Sequence, residues 1–297
     1  MNLFDIKKFL SAALFSLWLV CPGIVSAQDV VAVLSSNLGP YREAFEGFQE
    51  AFGQTVPSYN LSDSNSPNLP PGTHIVVAFG GKAALVPYSK NVTLIYALAP
   101  GAELKLTNRR DYSIEIEMLP KASAIVPKLK EIQPALKKLA VFWSSEFMED
   151  HVEDLQQVSA PMGIEIVSER LKGPEELPDR LRSIYKGVDA VWLMPDPFLI
   201  NSQSFAVIKE FSWSNKVPLY VPTAGLVDQG ATASISASFR ELGRTAGLAA
   251  RRVVSKKSID DTLYPERVET VLNQRAATNA GLLVPPDVLK SLDKVVP

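Results

Sequence analysis

AVWLMPDPFLINSQSFAVIKEFSWSNKVPLYVPT, residues 190–223, decides the fold class. It opens on AVWLMPD, an apolar run closed by a proline–acid pair, and ends on VPLYVPT, a second apolar run. Between them Phe205, Ile208 and Phe211 recur at helical spacing. The strands are continuously apolar instead of alternating, which predicts parallel neighbours covered by helices on both faces. This is a βαβ unit.

Upstream the same alternation repeats. LAVFWSS (139–145) and IEIVSERL (164–171) are strand candidates around the helical stretch HVEDLQQVSAPMG. A helix with Ile125, Leu129 and Ile132 on one side precedes them. Nearer the start, VVAVLSS (30–36), HIVVAFGG (74–81) and TLIYALAPG (93–101) form an earlier set, with Ala44, Phe45, Phe48, Ala51 and Phe52 marking a helix after the first strand. Two successive βαβ sets predict two doubly wound lobes. Downstream, Ser238-Phe239-Arg240-Glu241 forms a capping box at the head of ELGRTAGLAARRVV. VETVLN (268–273) is a last strand, and the tail to Pro297 holds a Pro-Pro pair and a short helix expected to pack across the lobes.

Residues 1–27 carry Lys7 and Lys8, the apolar run FLSAALFSLWLV, then Cys21-Pro22-Gly23 and Val25-Ser26-Ala27. That order matches a secretory signal peptide cleaved after Ala27. The apolar run is short for a membrane span, which takes about 20 residues. Lipid anchoring at Cys21 would need a small residue where Val20 stands. Without the leader the chain keeps 28 basic and 31 acidic side chains, a net charge of −3. The single cysteine leaves with the leader, and with it any disulfide, thiol nucleophile or thiolate metal site. The acidic balance argues against nucleic-acid binding, which needs clustered Lys and Arg.

Catalytic motifs are sparse. His74 and His151 are the two histidines, without HExxH or paired spacing, so no metal site is expected, and each reads as solvated. Gly80-Gly81-Lys82 lacks the spacing of a phosphate loop and reads as a tight strand-to-helix turn. GxGxxG and GxSxG are absent, and Ser183-Ile184-Tyr185-Lys186 is a chance-level SxxK match. No cofactor is implied. In open α/β sheets ligands lodge beyond the carboxyl ends of strands. The candidate ligand-binding residues are therefore Ser35, Ser36, Asn37, Gly80, Gly81, Lys82, Ala99, Trp143, Ser144, Asp196 and Thr223. Trp143 offers a stacking face and Asp196 an ammonium partner.

Three segments, 190–221, FRELGRTAGLAARRVV and VETVLNQRAATNAGLLVPPDVLKSLDKVV, resemble the ABC-transporter substrate-binding family whose best-known members bind tryptophan or other aromatic amino acids. The resemblance implies a type I periplasmic-binding-protein fold, two Rossmann-like lobes joined by hinge strands that close over a small solute. It implies lobe 1 at 28–118, with about 238–262 returning to it, and lobe 2 at 119–237, with the 263–297 tail. Crossings are implied near Leu119, Ser236 and residue 262. It places Ser35 and Ser36 as first-lobe contacts and Asp196 and Thr223 as second-lobe contacts. One departure stands out: where the family has an Asp-Pro turn and a Gly-rich segment, this chain has Leu98-Ala99-Pro100-Gly101 followed by ELKLTNRRDYSIEIEM. An acid suited to an amino group is thus missing at that turn. The expectation is an exported, non-enzymatic protein that carries a small solute to an ABC permease in the inner membrane. A periplasmic ligand sensor for a membrane kinase is the alternative, and an exported α/β hydrolase or isomerase using Asp196 or Lys82 a third.

Overall fold

The computed structural model describes residues 29–64, 66–106 and 112–297, so the leader lies outside the described residues. In chain order the strands are β1 (Val30–Leu34), β2 (Ser58–Asn60), β3 (Ile75–Phe79), β4 (Thr93–Ala97), β5 (Ser113–Ile116), β6 (Lys138–Trp143), β7 (Glu165–Arg170), β8 (Ala190–Leu193), β9 (Leu219–Val221), β10 (Ala233–Ser236), β11 (Thr262–Leu263), β12 (Glu269–Asn273) and β13 (Lys294–Val296). They form two sheets, in the orders β11-β5-β4-β3-β1-β2 and β13-β12-β10-β9-β8-β6-β7. Every pairing in the first is parallel; in the second, β10 meets β12 antiparallel and the other pairs are parallel. The two parallel-sheet lobes expected from the alternating pattern are present.

All residues of β1, β3 and β8 are buried, as strands covered on both faces must be. In lobe 1, α1 (Gly39–Phe52) lays Ala44, Phe48 and Phe52 on the sheet, with Phe48 edge-on to Phe79 at 6.0 Å. Gly53, at φ 81°, ends it in the left-handed region and donates its N–H to Gln49 O. A short α2 (Gly81–Ala84) follows β3. Lobe 2 carries α3 (Ala122–Ile132), α4 (Glu149–Ser159), α5 (Leu177–Ile184), α6 (Ser202–Asn215) and α7 (Ala224–Asp228). One face of its sheet packs Leu139, Val141 and Trp192 under α3 and α4; the other packs Phe142, Leu193 and Leu219 against Leu181, Phe205 and Ile208. Asn201 starts α6 by accepting from Ser204 N at 2.9 Å.

The chain passes between the sheets three times: at 117–121 from β5 into α3, at 237–238 from β10 into α8 (Phe239–Val254), and at 264–268 from β11 into β12. Helix α8 thereby returns to lobe 1 and packs along α1, with Leu242, Ala246, Ala249 and Ala250 in the lobe-1 core. Ser238 Oγ accepts from Glu241 N at 3.2 Å, the first half of the capping box, while the Glu241 carboxylate pairs with Arg244 Nε at 3.0 Å. The tail corrects an expectation. After α9 (Gln274–Asn279) and α10 (Pro286–Ser291), β13 joins the edge of the second sheet beside β12, and Val288, Leu289 and Leu292 pack on the lobe-2 core. Its apolar residues face that core, so the tail belongs to one lobe and does not span both.

Candidate functional site

The carboxyl ends of β4, β6 and β8 open onto one cavity of about 570 Å³ between the lobes. Ala99, Gly101 and Glu103 line it beyond β4, Pro195 beyond β8, and the 3-10 turn Glu146–Met148 with the start of α4 beyond β6. Strand β5 and the first crossing contribute Glu115 to Leu119, and β11 and the third crossing contribute Thr262 and Tyr264. The two lobes meet tightly at one point: a Cβ on Gly101, at φ 74°, would lie 2.8 Å from the Phe147 ring.

Eight carboxylates line this cavity: Glu103, Glu115, Glu117, Glu146, Glu149, Asp150, Glu153 and Asp154. Among the described residues, the lining contains no Lys, Arg, Ser or Cys. Glu115 accepts from Tyr96 Oη at 3.1 Å. Burial, reinforced by Glu117 and Glu103, pushes its carboxyl up to about 8. Burial also raises Glu103, one of whose oxygens is enclosed without a partner. His151 Nε2 stands 3.3 Å from Glu117, joining α4 to the first crossing. Burial pushes the imidazole down, but the Glu117 carboxylate outweighs it and holds the ring above the usual histidine range. Tyr264 is pushed up to about 12 by burial and by Glu117. His74 is exposed, but the side chain of His151 is only 15% exposed; its expected solvation is corrected, because residues 117–121 fold back over α4.

Of the residues singled out in the sequence, Ala99 lines the cavity. The other first-lobe residues cluster on the rim beyond β1 and β3. Ser35 is buried and accepts from Ala83 N at 2.9 Å, Ser36 Oγ accepts from Leu38 N at 3.3 Å, and Asn37 pairs with Asn60. Gly80, at φ 98°, turns so closely over Ser35 that a Cβ would sit 2.5 Å from its hydroxyl; Gly81 begins α2, and Lys82 is exposed. That is the tight turn expected of Gly80-Gly81-Lys82. Thr223 sits half-buried ahead of α7.

In lobe 2, Trp143 is buried at the end of β6 with the Arg170 guanidinium 5.1 Å over its ring. Asp196 is 0% exposed. Its Oδ2 accepts from the amides of Ser144 and Ser145, both at 2.7 Å, and its Oδ1 from Ser145 Oγ at 2.8 Å and Phe198 N at 2.9 Å. Four donors use the lone pairs an ammonium would need. Asp196 therefore ties the loop after β6 to the loop after β8, and Ser144 is its partner. Glu103, Glu115 and Glu117 were not singled out in the sequence and His151 was read as solvated, although Glu115 and Glu117 alternate with Ile114, Ile116 and Met118 in a period-two pattern that puts both acids on one side.

The carboxyl and imidazole make stability depend on pH. Folding raises both affinities for protons, so unfolding releases them. The Glu115 contribution is complete below its unfolded value near 4.5 and is lost as pH climbs through about 8. Glu115→Gln is expected to gain on the parent chain between pH 5 and 9, by a Tm difference on the order of 10 °C. Parallel Tm profiles for the two chains would contradict this.

A family model described as ABC transporter substrate binding protein matches residues 119–296. Among solved structures, the chain is similar to the ABC domain in complex with L-Trp from Streptococcus pneumonia, at 18% identity and TM-score 0.62, covering 90% of this chain and 100% of that one. It is also similar to the ligand-free, open form of a substrate binding protein with adhesive properties from Clostridium difficile, at 13% identity and TM-score 0.67, over 90% and 98% of the two chains. Both likenesses are of fold, that of the type I periplasmic binding proteins. A tyrosine-binding protein of Clostridioides difficile (strain R20291) is 23% identical over 167 residues, 56% of this chain but 45% of that protein's length. With more than half of its length matched by the family model, the two-lobed chain belongs to the ABC transporter substrate binding protein family.

Proposed function

We propose that this chain is an exported solute-binding protein that captures a small organic molecule between its lobes and hands it to an ABC-type permease in the inner membrane. The observation that carries this reading is the open cavity between the carboxyl edges of two sheets, with two chain crossings among its walls. Its volume of about 570 Å³ falls in the range of small-molecule sites. The crossings are the segments about which the lobes can rotate, and a solute touching both lobes favours the closed arrangement by its difference in affinity for the two. The lobe-1 rim at Ser36, Asn37, Gly81 and Lys82, held by the buried Ser35 and Gly80 beneath it, and the lobe-2 rim at Ser144 and Thr223 supply the polar surfaces that meet on closure. The leader at 1–27 is the export signal. The proposed role involves no chemistry on the cargo, and among the described lining residues no base is paired with a nucleophile.

A melting screen of the purified chain against amino acids, amines, nucleosides, sugars and small acids tests this. A cognate solute at 100-fold its Kd adds about 2.7 kcal/mol, a Tm rise on the order of 5–10 °C. If no compound class moves the Tm, the solute-binding reading fails.

A further inference from the structure

We propose that the interlobe cavity selects an organic amine, a solute that carries a positive charge and no carboxylate. This rests on the solute-binding reading and names the class of its cargo. The walls set the charge. Eight acidic side chains line a cavity whose described lining residues include one group able to be cationic, His151, and that imidazole is already paired with Glu117; of the eight, Glu149 is itself paired with Arg170 at 3.7 Å. An amino acid brings an ammonium and a carboxylate into the same space, and among the charged described lining residues its carboxylate would meet acids and one imidazole already paired with Glu117. An amine lacks that second charge. Glu103 adds its charge to the same wall, although its partnerless Oε2 is shut away from the cavity's open space and is not the atom that meets the solute. The apolar part of the lining suits the rest of such a molecule. Met118 and Met148 offer soft faces, Phe147 is pinned against Gly101, and Tyr264 adds a second ring, one face of which already carries the Lys121 ammonium at 5.2 Å.

Proton linkage supplies a signature specific to this charge class. Glu115 is faced by Tyr96 from β4, Glu103 from the loop after β4, Glu117 further along its own segment, His151 from α4, and Tyr264 from the third crossing. With its carboxyl near 8, Glu115 is largely protonated at pH 7. An entering ammonium stabilises the carboxylate and drives its proton into solvent. The same charge disfavours the imidazolium of His151, so both groups lose protons when the amine binds. Affinity for an amine therefore rises with pH from 6 to 8, below the titration of the amine itself.

Calorimetric titration of the full chain with matched pairs tests the proposal: tyramine against tyrosine, tryptamine against tryptophan and agmatine against arginine, at pH 6 and 8 in buffers of different ionisation enthalpy. The expected result is an amine that binds at least tenfold tighter than its parent amino acid, tightens severalfold from pH 6 to 8, releases protons, and weakens tenfold in Glu103→Gln. The ligand-free Tm of that variant monitors folding. An amino acid that binds as tightly as its amine, proton uptake on binding, or a preference for a neutral or anionic solute in the wider screen overturns the amine class and leaves solute binding intact. An amine whose affinity ignores Glu103→Gln, in a variant of unchanged Tm, binds elsewhere and overturns the assignment to this cavity. Silence from every class overturns the solute-binding reading, and the amine class with it.

Discussion

Asp196→Ala is expected to cost about 4 kcal/mol, a fall in Tm on the order of 10 °C for a chain of this size. The carboxylate is wholly enclosed and takes four donors, three of them backbone or hydroxyl groups of Ser144 and Ser145. Removing it leaves those donors buried with nothing to accept them, and each charge-assisted bond is worth about 1.5–3 kcal/mol before the cost of the small cavity is added. The two loops it joins carry Glu146 to Met148 on one side and Pro195 on the other, all walls of the interlobe cavity. Loss of solute affinity should therefore accompany loss of stability. Asp196→Asn separates the two contributions, since it keeps one acceptor oxygen for the serine amides and should recover part of the Tm. A variant that lost affinity at unchanged Tm would return Asp196 to direct contact with the solute.

Asp196 also illustrates where the sequence stops being legible. A proline–acid pair closing an apolar strand announces a carboxylate at the sheet edge, and that much holds. Whether the acid faces a guest or the chain's own amides depends on a contact with residues 51 and 52 positions away, which no local pattern encodes. The fold was more open to reading. Strands β1, β3, β4, β6 and β8 are apolar runs that burial on both faces requires, and they were recognisable as such. The strands that escaped are those whose position relaxes the rule: β2 is three residues at a sheet edge, β11 is two, β13 is a polar-headed edge, and β10 alternates alanine and isoleucine with serine. The β5 strand escaped for a functional reason. Its Ser-Ile-Glu-Ile alternation turns two isoleucines inward and Glu115 toward the cavity, so the segment reads as charged surface although it forms a wall of the site. The missing acid at the turn after β4 is likewise offset in space by Glu103, Glu115 and Glu117, which reach the cavity from neighbouring segments.

Gly243→Ala should be strongly destabilising, by about 3 kcal/mol or more, although the same change in an exposed helix would stabilise by roughly 1 kcal/mol. Packing decides the sign. On α8 a Cβ at Gly243 would fall 1.7 Å from the carbonyl oxygen of Ala44 on α1, and one at Gly247 would fall 2.6 Å from that of Phe48. Across the seam, a Cβ at Gly47 would meet the Arg240 carbonyl at 2.0 Å. Backbone stands against backbone here, so no flexible side chain can yield; the helices must separate. Separation opens the packing of Leu242, Ala246 and Ala249 against Phe48 and the sheet, in a core that tolerates little loss of contact. The ion pairs from Arg240 to Glu46 and Glu50 on the exposed flank are too well solvated to hold the helices together. Because α8 is reached by the second crossing and left toward the third, displacing it also shifts the frame on which closure depends. Gly225→Ala in α7 is the control: nothing lies within 4 Å of its Cβ position, and a neutral or slightly raised Tm is expected there. Equal Tm values for the Gly243 and Gly225 variants would show that α1 and α8 do not meet as closely as their glycines require.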